Sequence, residues 1–229
     1  MNNIPKNLII GGFTLKVIDF LAKHPTESFT IDNIRKLVKG SNYATIYRKV
    51  HLLVKQGILL KSLYGMASQI RINLDNNNTI SLLSFIEAEK FKEFYKNLRG
   101  DIKTAISEII KDASPVMEIK CAIIFGSYAK GNQTTKSDLD ILIAYNKSNL
   151  IKNLSYDEEI KKTIMSIIKT SELRGGPKIN PIIVNEEEHS EMIFNNQLNI
   201  GKETLLNHII LKGYEEYWRG IGNAVKERS

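Results

Sequence analysis

IKCAIIFGSYAKGNQTTKSDLDILI, residues 119–143, is the stretch on which the fold turns. Its first seven residues, IKCAIIF, are mostly apolar and β-branched, which predicts a buried strand over 119–125. Gly126-Ser127 follows at once, and a polar stretch over 132–137 leads into a second strand that begins Asp138-Leu139-Asp140. Ten residues separate Ser127 from Asp138. A Gly-Ser at a strand end presents backbone N–H groups and a hydroxyl to an anion, and glycine at 126 lets the backbone approach a phosphate closely. Asp138 and Asp140, two apart on a strand, project from one face while Leu139 and Ile141 enter the core. Carboxylates that converge in this way repel unless a divalent cation lies between them. Mg²⁺ suits such a pair, because phosphate oxygens and water complete its octahedron. A phosphate cradle beside a carboxylate pair is equipment for metal-assisted attack on a nucleotide α-phosphate.

Further along, KINPIIV over 178–184 predicts a third strand, and a helix pair is expected over 186–196 and 201–219. GSYAKGNQTTKSDLD resembles the Gly-Ser, ten-residue spacer, Asp-x-Asp motif of the minimal nucleotidyltransferases in the DNA polymerase β superfamily. The resemblance extends over residues 117–218. It implies a small mixed sheet flanked by helices, with Gly126 and Ser127 on the nucleotide phosphates. Asp138 and Asp140 become the catalytic residues and metal ligands, Mg²⁺ or Mn²⁺ the metal, and ATP or another nucleoside triphosphate the substrate or ligand. The family's third carboxylate, on a following central strand, helps to deprotonate the attacking hydroxyl. Here Asn180 stands in that place, and an amide carries no charge and accepts no proton at neutral pH. Glu186, Glu187 or Glu188 could compensate from the strand's far end. The competing reading has Asn185 cap a helix whose first turn favours acidic residues.

Charge divides the chain unevenly. Residues 1–75 hold 11 Lys/Arg against 4 Asp/Glu, which accounts for the whole formal charge of +7, while 76–114 and 115–229 are balanced. A concentrated basic segment suits a polyanion, because neutralised phosphates release counterions. In that segment, apolar stripes predict helices over 13–23, from Thr30 to about 38, and over 42–56, with a turn at 39–41. The period then changes, and 58–63 and 69–73 read as the two strands of a hairpin. Three helices and a hairpin resemble a winged helix-turn-helix domain. That resemblance implies DNA binding, with the third helix in the major groove. Asn42, Tyr43, Thr45, Arg48 and Lys49 then face bases or phosphates, and Lys61 and Arg71 lie on the wing. The competing reading is a protein-contact module with a solvated basic face.

The chain thus reads as an α+β, two-domain protein. A winged helix over 1–75 is followed by a helical linker over 76–114 and a nucleotidyltransferase domain with C-terminal helices over 115–229. Asn76-Asn77-Asn78 reads as a linker or turn, and the linker helices serve as a spacer or as a homodimerisation surface, since both need an apolar stripe. Hydrophobic residues at 42% and a single cysteine exclude disorder, a disulfide framework and a zinc cluster. No run reaches the ~18 apolar residues of a membrane span, and 1–12 lacks the features of a signal peptide, so a cytoplasmic chain is expected. Cys121 and the four histidines read as packing or surface residues, as do Tyr214, Tyr217 and Trp218 over the core. Lys130, Lys136 and the turn at 174–177 flank the site, with ordinary solvation or connection the simpler reading. Two functions follow. One is a DNA-binding enzyme that transfers a nucleotidyl group from a metal–nucleoside triphosphate to a hydroxyl acceptor, a protein acceptor among the candidates. The other is a transcriptional regulator or antitoxin-like protein whose transferase domain binds nucleotide without turnover.

Overall fold

A computed structural model describes residues 12–37, 42–113, 119–146, 154–195 and 199–228. The chain divides into two compact units, residues 1–86 with 218–229, and residues 87–217.

In the first unit, α1 (Gly12–Lys23), α2 (Ile31–Leu37) and α3 (Tyr43–Lys55) precede a hairpin of β1 (Leu59–Tyr64) and β2 (Ala67–Ile72). The helical stripes fall as their spacing requires: Val17, Ile18 and Leu21, then Ile31 and Ile34, then Ile46, Val50 and Leu53 are buried. Thr30 caps α2 by accepting from the Asn33 backbone N–H at 3.2 Å. The expected turn at 39–41 lies outside the described residues. β1 and β2 pair antiparallel with Tyr64 opposite Ala67, so Gly65-Met66 form a two-residue loop. Phe29 adds an antiparallel bridge to Ile70. The strands sit slightly off the expected 58–63 and 69–73.

The turn expected at 76–78 is a correction. Asn77 and Asn78 already belong to α4 (Asn77–Asn97), and Asn76 accepts the Asn78 N–H at 2.8 Å. An asparagine at a helix start satisfies an orphan donor, so the polar run begins the helix instead of delaying it.

The second unit is built on one four-stranded sheet. Its elements are α5 (Gly100–Ala113), β3 (Ile119–Ile124), α6 (Gly126–Lys130), β4 (Leu139–Tyr145), α7 (Leu154–Leu173), β5 (Ile179–Asn185), α8 (Glu186–Phe194), α9 (Ile200–Leu206) and β6 (Ile209–Lys212); α10 (Tyr214–Lys226) begins at its end and belongs mostly to the first unit. Strand order is β5-β4-β3-β6, with β4 and β5 parallel and the other pairs antiparallel. Ile102, Ala105, Ile106 and Ile109 of α5 pack with Ile160, Ile164 and Ile168 of α7 on Ala122, Ile124, Leu139, Ile141, Ile143 and Ile179. Burying one such aliphatic side chain contributes about 1.5–3 kcal/mol, so this layer anchors the sheet. Strand alternation turns Asp140 and Asn180 to the opposite face.

Two expectations are corrected here. The compact units do not follow the boundaries at 75 and 114, because the α5 stripe is core of the second unit and the division falls within α4 and α10. Nor is 201–219 one helix. Residues 209–212 form β6, paired with β3, and Gly213 follows at φ +79° with its Cα against the Lys120 carbonyl, where a Cβ would collide. A β-branched pair and a glycine break the helical period there. Among the described residues no helix is long and apolar enough to cross a membrane.

Candidate active site

The site forms at the end of β3 and the start of β4. The Phe125 N–H donates to the Asp140 carbonyl at 3.1 Å, which sets the end of one strand beside the start of the next. Gly126 then takes φ +67°, and a Cβ built there would strike the Asp140 carboxylate oxygen and lie 3.0 Å from its Cγ. Glycine at 126 is therefore required twice, by backbone conformation and by the close approach of Asp140. Ser127 follows, half-buried, in the short helix α6. Five residues make too short a helix for an appreciable dipole, so any phosphate contact here depends on local N–H groups and the Ser127 hydroxyl. The spacer returns through a turn closed by Thr134 N–H to Ser137 Oγ at 2.9 Å.

β5 completes the site from the side. Its parallel register puts Asn180 opposite Asp140, and the Leu139 N–H donates to the Lys178 carbonyl at 2.9 Å. Asn180 Nδ2 donates to Asp138 Oδ2 at 3.3 Å and to Asp140 Oδ1 at 3.2 Å. Lys178 Nζ donates to Asp138 Oδ2 at 2.7 Å. That bond holds the Asp138 carboxyl below its ordinary range, and the carboxylate in turn raises the Lys178 ammonium. Asn180 thus stands beside both aspartates. Lys178 is the site residue that the sequence pattern does not single out. The available signal is spacing, since Lys178 and Asn180 repeat the i, i+2 separation of Asp138 and Asp140 on the neighbouring strand.

The donor set fits a divalent ion. Two carboxylates reach one NH₂ group and are partly neutralised by an ammonium, which is the electrostatics of a cation site. Rotating the Asn180 amide would turn its oxygen inward, so an all-oxygen set suits Mg²⁺ or Mn²⁺. The residues fit one such ion on Asp138 and Asp140. Among the described residues, no group of three or more His, Cys, Asp or Glu is placed to hold a metal.

The surrounding candidates separate cleanly. Asn185 caps α8 and forms a reciprocal capping box with Glu188, so the glutamates serve the helix start. Asn185 lies five residues beyond Asn180 along the strand, about 16 Å, which keeps Glu186–Glu188 from the carboxylate pair. Lys130 pairs with Glu203 at 2.5 Å, and Lys136 is exposed. Arg174 lies 3.9 Å from Glu108, and its turn leads into β5 as a connector. Burial pushes the Cys121 thiol up to about 12, so it packs and does not react. His189 and His208 are buried near Tyr217, itself buried, and neither lies among the ligands.

In the N-terminal unit, Asn42 caps α3, accepting the Thr45 N–H at 2.8 Å, and its side-chain oxygen is committed there. Tyr43 is half exposed and stacks on Tyr47 at 6.1 Å, which meets His51 at 4.4 Å. Arg48 is exposed with Nε donating to the Ala44 carbonyl at 3.3 Å, while Thr45 and Lys49 are partly buried. Lys61 pairs across the hairpin with Ile70, and Arg71 with Leu60. Cross-strand partners share a face and neighbours alternate, so Lys61 and Arg71 point to opposite faces of the wing.

Residues 105–213 match the family model described as Polymerase beta, Nucleotidyltransferase. A Methanocaldococcus jannaschii protein named "Putative protein adenylyltransferase" is 33% identical over 60 residues, which cover 24% of this chain and 60% of that protein. This chain therefore spans 60% of the length of that relative. No solved structure matches the chain. Residues 105–213, which hold Gly126, Asp138, Asp140 and Asn180 in one constellation, are thus similar to nucleotidyltransferase domains of the polymerase β kind.

Proposed function

We propose that the chain transfers a nucleotidyl group from a divalent metal–nucleoside triphosphate to a hydroxyl acceptor, and that its basic N-terminal unit binds DNA. The observation that carries the transferase reading is the convergence of Asp138, Asp140 and the Cβ-free approach of Gly126. Gly126 and Ser127 bind the phosphates, and Asp138 and Asp140 hold the ion. When bound, that ion supplies positive charge to the phosphoryl oxygens in the transition state. The acceptor oxygen attacks the α-phosphorus and pyrophosphate leaves. Asn180 orients the carboxylates and takes no proton, so the acceptor's proton leaves through a carboxylate or to solvent. The DNA reading is supported by three helices followed by a hairpin, by the +7 confined to residues 1–75, and by the exposed Arg48 and Lys61. The name of the M. jannaschii relative makes a protein the acceptor to try first. A cytoplasmic location accords with these substrates.

The second reading is a DNA-binding regulator or antitoxin-like protein that holds nucleotide without turnover. Asn180 favours it, because the amide sits where a carboxylate would complete the site. Transfer from α-labelled ATP, GTP, CTP and UTP with Mg²⁺ or Mn²⁺ decides between the two. The acceptors are the protein itself, DNA, RNA and a protein lysate. Label on an acceptor that disappears with Asp138→Asn establishes the enzyme. Metal-dependent nucleotide binding with no transfer establishes the regulator.

A further inference from the structure

We propose that Lys178 is a built-in cation of this active site: its ammonium takes the place of a second divalent ion, so the site works with one. The proposal deepens the nucleotidyltransferase reading and rests on it. Asn180 is in register with Asp140 and within 3.3 Å of both carboxylates, so an amide occupies the position from which a third negative charge would act. On the same strand, two residues earlier, Lys178 reaches Asp138 Oδ2 at 2.7 Å. Its side chain is 71% exposed. Packing does not force it there; the attraction of the carboxylate pair holds it. The charges balance in a telling way. Two carboxylates, one ammonium and one divalent ion leave a single net positive charge. Phosphoryl-transfer centres commonly use two divalent ions, and three carboxylates with two such ions leave the same. The loss of an acid at 180 and the presence of a lysine at 178 therefore compensate each other. A second divalent ion would meet the ammonium at a few ångströms, where like charges repel strongly.

The competing account is an exposed ion pair of little consequence, the usual case at a protein surface. Counting bound Mn²⁺ by electron paramagnetic resonance, with the full chain saturated by α,β-methylene ATP, separates the two without any turnover. The wild type should bind one Mn²⁺ per chain, Asn180→Asp one, and the double variant Lys178→Met/Asn180→Asp two. Both positions are exposed, and circular dichroism verifies that the variants fold. Two Mn²⁺ on the wild type, two on Asn180→Asp alone, or one on the double variant would each overturn the proposal. A wild type that binds neither Mn²⁺ nor the analogue would instead sink the nucleotidyltransferase reading beneath it.

Discussion

The two compact units announce function in different ways. In residues 87–217, side chains from distant points of the chain bond one another: Lys178 and Asn180 reach Asp138 across 40 and 42 residues, and Asn180 reaches Asp140 across 40. In the N-terminal unit, two candidate DNA-binding residues at α3 make local bonds. Asn42 bonds to Thr45 and Arg48 to Ala44, within three and four residues. A catalytic centre must hold several groups around one reacting atom, so it leaves long-range bonds in the fold. A face for a polyanion needs only like charge and exposure, so it leaves its record in composition. Geometry argues for the first, and charge placement argues for the second.

Each half of that contrast can be broken by experiment. The largest effect belongs to Gly126→Ala. The new methyl would displace the Asp140 carboxylate, and a shift of about 1 Å in a reacting group costs about 100-fold. Activity assayed as kcat/KM should fall by at least that factor, and retention of full activity would show that the close approach is incidental.

A second test concerns the buried interior of the same unit. Burial lowers His189 to about 4, with the charge of His208 acting in the same direction. Unfolding restores the ordinary histidine value, so between about pH 6.5 and 4 the unfolded chain binds the extra proton. The stabilisation is complete above that window and is lost as pH falls through it, by about 3 kcal/mol. His189→Phe keeps a ring against Tyr217 and should flatten urea-melt stability across this range. An unchanged pH profile would refute the assignment.

The smallest expected effect falls on α3. Arg48→Ala should weaken duplex DNA binding by about 1–3 kcal/mol, and a lower salt slope would mark Arg48 as a phosphate contact. Equal binding by the variant would remove the best-placed side chain from the DNA face and favour a protein-contact role for this unit.

Much of the candidate constellation is legible in the sequence. IKCAIIF and DLDILI carry the apolar density of buried strands, and the Gly-Ser to Asp-x-Asp spacing brings 126 and 140 together in expectation. Asn180 is located by the strand it heads, and Asn185 reads as a cap, because strand period and capping chemistry act within a few residues. What the sequence hides depends on partners. Lys178 looks like any lysine before a strand until the parallel register sets it beside Asp138. The 209–212 segment hides inside a helix-like stretch until β3 supplies its partner. The α5 stripe looks like a linker because an apolar face does not say what covers it.

By itself, then, the sequence determined the periods, the caps, the charge asymmetry and the residue types that a metal–phosphate site needs. All of these are local properties, decided by backbone sterics and by side chains within a turn or two. Only tertiary structure decided that Asn180 stands between both aspartates, that Lys178 closes on Asp138, and that Lys61 and Arg71 face opposite ways. Those facts follow from strand order and register. Register is set by the packing of a whole sheet on its core, where a slip of one residue would turn every side chain to the other face.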